Sequence, residues 1–429
     1  MVAILMISFF IGLAIGIPIA LVMGVASLIS FLYEGSLPLQ VLSQRVFAGI
    51  DSFPMMAIPF FILAVELMTA GKLTEMLIEF ANNLVGHVRG GLGHVNVIVS
   101  MLFAGISGSA LADAAGPGAL VLKMMRVAGY DAYYSGALTA ASAVIGPIIP
   151  PSIIMVIYAL SEAKTTVTGL FLAGIVPGLL LGGILMLSNH MISVRRNYPF
   201  ASKRVPLKEL FESFKRAIVG LMMPVIILGG ILTGIFTPTE AAAVAVGYAL
   251  FIGVFVTRNL NHKNIPQIFL KSAIISSAVL LLVSMGSAFS WLLTYAQVPQ
   301  QVALWISGLT QNPTLILILI AILSTISGMF IDTLPAVIIL TPVLAPLATQ
   351  FGIPTLQTAM VIVLSLTVGM LTPPVAPLLF VVSMVGRLKV EKLVIEVIPL
   401  ILVEFVIILL VILFPAVSTI LPRLLGYLH

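Results

Sequence analysis

The chain has 429 residues, of which 60% are hydrophobic and 8% are charged, and its mean hydropathy is +1.22. An ordinary soluble domain has roughly 25% charged residues, so this composition indicates an integral membrane protein. The chain contains no cysteine, which excludes disulfides, cysteine-ligated metals and thiol catalysis. Its five histidines do not show the His-x-x-x-His spacing of a zinc site.

The charge balance is basic, with a net charge of +5 and a pI of about 9.4. The Lys and Arg residues fall between apolar runs rather than on one compact face. This distribution is typical of loops that set orientation in a lipid bilayer, and it predicts no nucleic acid partner.

The first apolar run covers about thirty residues from Met1 and lacks a basic region or a cleavage site, so it predicts a first membrane helix rather than a signal peptide. Further apolar stretches long enough to span are centred near residues 61, 178, 226, 248, 283 and 404. Shorter apolar segments, interrupted by Gly, Pro, Ser, Thr and Asp, occupy residues 92–128, 134–162, 313–349 and 357–386.

A polar loop at residues 191–216 divides the chain and holds seven of the 20 Lys and Arg residues. The positive-inside rule makes this loop cytoplasmic. It separates a first half, residues 1–190, from a second half, residues 217–429, and the two halves resemble each other.

The resemblance rests on two landmarks in the same order. An Ile-Ser-Gly triplet ends at Gly108 and again at Gly328, and a Pro-Pro pair begins at Pro150 and again at Pro373. The separations from glycine to proline are 42 and 45 residues. Two landmarks at nearly equal spacing indicate an internal repeat.

The charges around each triplet predict opposite orientations. Arg89, Lys123 and Arg126 flank the first triplet, whereas residues 310–314 and 348–358 around the second carry no basic residue. Each arm offers only ~12–16 apolar residues, fewer than the ~20 needed to cross. We therefore expect two re-entrant helical hairpins, at residues 92–128 and 313–349, that enter from opposite faces as an inverted-topology repeat.

Proline pairs predict two broken helices, at residues 134–162 and 357–386. Proline removes a backbone donor and clashes with the carbonyl four residues earlier. The helices should therefore open near residues 146–152 and 369–375, where freed carbonyls and a hydroxyl are suited to a dehydrated sodium ion. A simple kink is the alternative for a single Pro-Pro, and the repetition favours a site.

The hairpin tips, at residues 103–113 and 324–332, supply the opposing walls of two similar ion sites. Glycine permits close approach and serine either caps a half-helix or ligates an ion, so both roles stay open for Ser107 and Ser109.

Acidic residues inside a membrane are costly and are usually functional. Asp332 follows the second Ile-Ser-Gly tip by four residues and is the best candidate for contact with substrate or cations. Asp113 is either a second such group or a helix-end or cytoplasm-facing residue. We expect Glu240 to form a capping box with Thr237. We expect Glu66 to make a polar contact with a neighbouring helix or subunit.

Eight motifs, taken together and in order, resemble the large membrane subunit of tripartite ATP-independent periplasmic (TRAP) transporters over nearly the whole chain: AIPFFILAVELMTAG, GHVRGGLGHVNV, FAGISGSALADAAG, IGPIIPPSIIMVIYA, LAGIVPGLL, GIFTPTEAAAVAVGYA, ISGMFIDTLPAVIILTPVLAP and GMLTPPVAPLLF. The resemblance implies an all-α, elevator-type, sodium-coupled importer of the bacterial inner membrane. It also implies a small membrane subunit, expected here as a separate chain, and a periplasmic binding protein.

The resemblance further implies the site residues. The second sodium site falls on Gly328, Gly369, Thr372 and Val375, and the repeat then predicts a first site on Ser107, Gly108, Gly146, Ile149 and Ser152. The residues expected to face the substrate are Asp332, Ser109, Pro150 and Asp113. Sodium is the expected coupling ion, and no organic cofactor is implied.

The substrate is expected to be an organic acid anion. The segment SALADAAG, with Asp113, resembles members that handle sialic acid and related sugar acids, whereas a C4-dicarboxylate permease is the alternative. A solitary sodium/anion carrier without a binding protein is a further alternative. An enzyme is not expected, because the isolated acids form no catalytic cluster near a membrane face. A channel is less consistent with two closed hairpins than alternating access is.

Overall fold

The computed structural model describes residues 1–35, 37–199 and 204–427, and within these it contains helices and no strand. Eight helical segments of this part are long and apolar enough to cross a membrane: Phe53–Ala70, Val167–Arg195, Leu207–Leu232, Pro238–Val256, Ile265–Tyr295, Pro313–Phe330, Thr333–Gln350 and Val390–Leu413. The prediction of an all-α membrane protein is confirmed.

The helices of the first half are α1 Val2–Ala14, α2 Ile19–Glu34, α3 Leu39–Ala48, α4 Ala57–Ala70, α5 Leu73–Val85, α6 Gly91–Ser107, α7 Ala110–Ala115, α8 Pro117–Val127, α9 Ala132–Ala143, α10 Ile153–Ser161 and α11 Val167–Arg195. A 3₁₀ turn, Phe53–Met56, precedes α4.

The helices of the second half are α12 Leu207–Leu232, α13 Pro238–Phe251, α14 Ile265–Tyr295, α15 Val298–Leu309, α16 Pro313–Phe330, α17 Thr333–Gln350, α18 Thr355–Gly369, α19 Pro377–Gly386, α20 Val390–Leu413 and α21 Ala416–Leu424. A π-helical turn, Ile252–Val256, follows α13.

The same succession of elements occurs in both halves. A hairpin (α6 with α7 and α8, then α16 with α17) is followed by an interrupted helix (α9 and α10, then α18 and α19) and by a long helix (α11, then α20). The interruptions span residues 144–152 and 370–376 and contain the two Pro-Pro pairs. The two hairpins and two broken helices are therefore confirmed.

The N-terminal apolar run is not one membrane helix, as the sequence suggested, but two. Gly16 has φ +85° and Pro18 follows it, so the chain turns between α1 and α2. The two helices pack closely, because a methyl group added at Gly12 would lie 3.0 Å from the Val22 side chain. Together they cover part of α14 through Phe289, a ring 5.2 Å from that of Phe9.

The arms of the second hairpin are longer than expected. Helices α16 and α17 have 18 residues each, although Pro342 and Pro346 lie within α17. A helix of 18 residues is about 27 Å long at 1.5 Å per residue, close to the thickness of the bilayer core. Both arms of this hairpin are thus long enough to cross the bilayer core, and the prediction of short arms is wrong here.

The basic loop that separates the halves is also narrower than residues 191–216. Helix α11 continues to Arg195 and α12 begins at Leu207. Residues 200–203 of the predicted linker lie outside the described part of the chain.

Side-chain caps begin several of these helices where the sequence leads one to expect them. The capping box at Thr237 and Glu240 is present, with the Glu240 carboxylate accepting from the Thr237 backbone N–H at 2.8 Å. Asp131 caps α9, and its carboxylate accepts from the Tyr134 N–H at 2.8 Å. Such caps satisfy backbone donors that have no partner within the helix.

Candidate ion and substrate site

The first break lies between α9 and α10 and is organised by Ser152. Its hydroxyl donates to the Pro147 carbonyl at 2.6 Å and accepts from the Met155 N–H at 3.3 Å, which caps α10. A hydroxyl oxygen has two lone pairs, so one stays available after capping. Ser152 therefore acts as a helix cap and retains the capacity to ligate an ion.

The tip of the first hairpin packs directly on this break. Gly108 ends α6 in the left-handed region, with φ +60°. A methyl group there would lie 2.7 Å from the Pro151 carbonyl oxygen and 3.0 Å from Ser152 Cα. Only glycine combines this backbone conformation with so close an approach. The pairing of the first tip with the first break is seen directly in this contact.

Asp113 belongs to this tip. It lies in α7 with 1% of its surface exposed, and the Ser107 hydroxyl donates to its Oδ1. Its Oδ2 has no hydrogen-bond partner among the described residues and lies so close to Gly146 that a methyl group at Gly146 would collide with it. Ser107, Asp113 and Gly146 thus meet at one place, whereas the Ile149 side chain points at Gly178 of α11.

The second hairpin contacts the second broken helix through α16 rather than through its tip. Gly328 and Gly369 are in contact, and a methyl group at Gly369 would lie 2.8 Å from Gly328 Cα. The Ala376 N–H donates to the Met329 carbonyl at 3.0 Å, which ties the break to α16. The Thr372 hydroxyl donates to the Val368 carbonyl at 2.9 Å, so its oxygen lone pairs are free.

The turn of the second hairpin is not at the Ile-Ser-Gly triplet. Helix α16 continues through Gly328 to Phe330, and Asp332 caps α17 by accepting from the Thr333 N–H at 2.7 Å and hydroxyl at 3.2 Å. The expectation that Asp332 lies four residues beyond the tip is therefore wrong. Gly328 serves helix packing here, and Asp332 is itself the tip.

A cavity of about 130 Å³ joins the two tips. One wall is formed by the hairpins and breaks, through Ser107 to Ala112, Ile153, Ile154, Asp332 to Leu334 and Met370. The opposite wall is formed by α4 and α14, through Ile62, Val65, Glu66, Ile275 and Val279.

The cavity brings together some of the expected substrate residues and not others. Asp332 and Ser109 both line it. Ser109 is also the cap of α7, since its hydroxyl accepts from the Ala112 N–H at 3.4 Å. Pro150 and Asp113 are not among the lining residues. The cavity therefore brings Asp332 and Ser109 together from the two tips.

Glu66 stands on the wall opposite the tips and is paired. Its Oε2 lies 2.8 Å from Lys271 Nζ of α14. The expected polar contact of Glu66 with a neighbouring helix is present in this ion pair.

Known proteins resemble this chain over most of its length. A family model for the DctM component of the tripartite ATP-independent periplasmic transporters matches residues 6–417. The chain belongs to this family.

Relatives of this TRAP component have different named substrates. The sialic acid TRAP transporter large permease protein SiaM of Vibrio cholerae is 42% identical, with 96% of each chain covered. The C4-dicarboxylate TRAP transporter large permease protein DctM of Pseudomonas aeruginosa is 37% identical, with 90% of each chain covered. The chain is accordingly a transporter subunit and not an enzyme, and it is a multi-pass protein of the inner membrane.

The fold of this TRAP component has a solved counterpart. The crystal structure of the YdaH transporter of Alcanivorax borkumensis aligns with a TM-score of 0.62 and 17% identity, covering 91% of this chain and 89% of that one. At this identity the likeness establishes the architecture alone.

Two polar features of the TRAP fold were not identified from the sequence. Asn96 of α6 donates to the Thr139 hydroxyl of α9 at 2.7 Å and accepts from Ser142 at 3.3 Å, which joins the first hairpin to the first broken helix. Glu404 of α20 is fully buried, and its oxygens have no hydrogen-bond partner in the described part of the chain. The only sequence signal for either residue is a lone polar side chain in an apolar run.

Proposed function

We propose that this TRAP permease is a sodium-coupled importer that moves an organic acid anion by an elevator mechanism. The observation that carries the proposal is that each hairpin packs against a broken helix through a glycine, at Gly108 on Ser152 and at Gly328 on Gly369. Each contact holds polar backbone inside an apolar protein, where it is tolerated when it lines a cavity or binds a ligand.

The first sodium site is proposed at Ser107, Gly108, Gly146, Ile149 and Ser152. We add Asp113 to this set and remove it from the substrate site, because its unpartnered Oδ2 adjoins Gly146 and it does not line the cavity. A carboxylate oxygen beside a hydroxyl and freed carbonyls is a hard oxygen donor set, which suits an alkali cation.

The second sodium site is proposed at Gly328, Gly369, Thr372 and Val375. Here the two glycines allow α16 and α18 to approach so closely that backbone carbonyls and the Thr372 hydroxyl are the available oxygens. The two sites are then similar in their use of a hairpin glycine against a broken helix and different in charge.

The substrate site is proposed in the cavity between the tips and the α4–α14 wall, with Asp332 and Ser109 as the polar contacts. Both tips lie on one wall, and α4 and α14 form the other. A rigid movement of the hairpin wall along the α4–α14 wall would carry the cavity across the membrane, which is the elevator motion.

Sialic acid is the proposed substrate, because a relative named for sialic acid is 42% identical over 417 residues. A C4-dicarboxylate is the second candidate, since relatives named for C4-dicarboxylates are 37% and 36% identical. The proposed partners are a small TRAP membrane subunit and a periplasmic binding protein, as the family's tripartite description indicates.

The test is uptake of labelled N-acetylneuraminate by proteoliposomes that contain both membrane subunits, with the binding protein outside and an inward sodium gradient. Accumulation should require sodium, and replacing sodium by potassium or collapsing the gradient should abolish it. Succinate serves as the dicarboxylate comparison. Sodium-independent uptake would contradict the coupling. Uptake of succinate and not of N-acetylneuraminate would make a C4-dicarboxylate the substrate in place of sialic acid.

A further inference from the structure

The cavity that joins the two tips has a charge pattern unsuited to an anion. The described residues that line it include two carboxylates, Asp332 and Glu66, and no lysine, arginine or histidine. An anion in a poorly hydrated site is costly unless a positive group compensates it. Among the described residues, Lys271 can compensate this charge, because its Nζ lies 2.8 Å from the carboxylate of the lining residue Glu66.

Lys271 shares a helix face with the cavity. It precedes Ile275 and Val279 on α14 by four and eight residues, and both of these line the cavity. Residues spaced by four lie one above another on a helix. The lysine therefore stands at the end of the cavity wall, one turn nearer the start of α14.

The positive-inside rule places this end of the cavity on the cytoplasmic side. Helix α14 begins at Ile265, directly after a loop that contains Arg258 and Lys263, and basic loops remain on the cytoplasmic side. The Lys271 side chain is 63% exposed, whereas that of Glu66 is 18% exposed. The pair thus joins a half-buried carboxylate on the cavity wall to an exposed ammonium group at its cytoplasmic mouth.

The Lys271–Glu66 pair contributes little to the stability of the fold. Exposed ion pairs contribute weakly to stability, because water screens them and long side chains lose rotamer freedom. A flexible ammonium group at the mouth of an anion cavity can instead exchange one carboxylate partner for another.

We propose that Lys271 is a docking residue for the substrate carboxylate at the cytoplasmic mouth, and that Glu66 competes with the substrate for it. When the anion reaches the mouth, the ammonium group turns from Glu66 to the substrate. When the anion leaves, Glu66 recovers the lysine, which favours release. The exit direction rests on the proposed function as an importer, whereas the competition itself does not.

The proposal predicts opposite effects of two neutralising substitutions. Lys271→Gln removes the docking charge, so the anion concentration that half-maximally stabilises the complex should rise about three- to ten-fold. Glu66→Gln removes the competitor and leaves the lysine free for the substrate. The same half-maximal anion concentration should therefore fall. A purely structural pair would give both variants a change of the same sign.

The experiment measures thermal stabilisation of the purified two-subunit complex during titration with N-acetylneuraminate and, separately, with succinate, at fixed sodium. Arg216→Gln is the matched control, because it breaks the exposed Arg216–Glu79 pair of 3.2 Å, whose residues do not line the cavity. The control should leave the half-maximal anion concentration unchanged. The unfolding temperature without anion reports any loss of folding in each variant.

The outcomes separate this proposal from the proposed function. Opposite shifts in the two variants support the competition, even where proteoliposome uptake proves sodium-independent. Equal or same-sign shifts overturn it, even where sodium-driven uptake is intact. Failure of both anions to stabilise the wild-type complex removes the cavity as an anion site, and the docking role of Lys271 with it.

Discussion

Gly108 gives the sharpest test of the contact between the first tip and the first break. An alanine there meets two penalties. The left-handed backbone, at φ +60°, costs a residue other than glycine about 1–2 kcal/mol. The added methyl group, 2.7 Å from the Pro151 carbonyl oxygen, adds an overpacking cost of about 1–3 kcal/mol unless the tip moves away.

Gly129 separates the two penalties. It also has a left-handed backbone, with φ +93°, but a methyl group there meets nothing within 4 Å. Gly129→Ala therefore carries the backbone cost alone. The difference between the variants, about 1–3 kcal/mol, corresponds to a roughly five- to 150-fold weaker closed contact, since 1.4 kcal/mol is a factor of ten.

The assay is the sodium concentration that half-saturates N-acetylneuraminate uptake, together with the sodium concentration that half-maximally stabilises the purified complex. Gly108→Ala should raise both by a factor in that range, and Gly129→Ala should leave both near the wild-type values. If the two variants respond to sodium alike, the contact of the tip with Ser152 does not hold an ion, and the argument from close packing fails.

Two further substitutions divide the proposed ion and substrate roles. Asp113→Asn preserves size and removes the carboxylate beside Gly146. We therefore expect at least a roughly tenfold rise in the half-saturating sodium concentration and little change in the half-maximal anion concentration. A changed anion concentration with an unchanged sodium concentration would count against a sodium role for Asp113. Asp332→Ala removes the cap of α17 and the cavity carboxylate, so we expect the complex to lose about 1 kcal/mol of stability and most of its uptake; unchanged uptake would exclude Asp332 from the transport mechanism.

The sequence located the helix breaks because proline acts locally. Pro150 and Pro373 remove backbone donors wherever they stand in a helix, so the interruptions at residues 144–152 and 370–376 follow from the chain alone. The pairing of each hairpin with a broken helix was also accessible, because the repeat carries the same order and nearly the same spacing in both halves.

Glycine was less informative, since it serves two purposes that a motif does not distinguish. Gly108 turns the chain with a positive φ, whereas Gly328, in the matching triplet, lies inside α16 and lets that helix approach Gly369. The same three letters therefore mark a turn in one half and a helix crossing in the other, and the second turn falls at Asp332 instead.

The positions of the acidic residues depended on packing between distant segments. Asp113 was expected at the substrate, but α7 turns it towards Gly146, and no spacing in the sequence reveals that contact. The partner of Glu66 was equally hidden, because Lys271 comes from a helix far along the chain. Side-chain direction on short helices is decided by tertiary contacts, which a single sequence does not encode at fixed intervals.

The two proposed ion sites differ in charge, because only the first includes a carboxylate. The first would hold sodium against the Asp113 carboxylate, and the second would hold it with carbonyls and the Thr372 hydroxyl alone. Charge-assisted contacts are roughly twice as strong as neutral ones, so the first ion would bind more tightly and earlier. The second, held by the Gly328–Gly369 contact next to the Asp332 tip, would then be the ion whose binding is most directly linked to closure of the cavity over the anion.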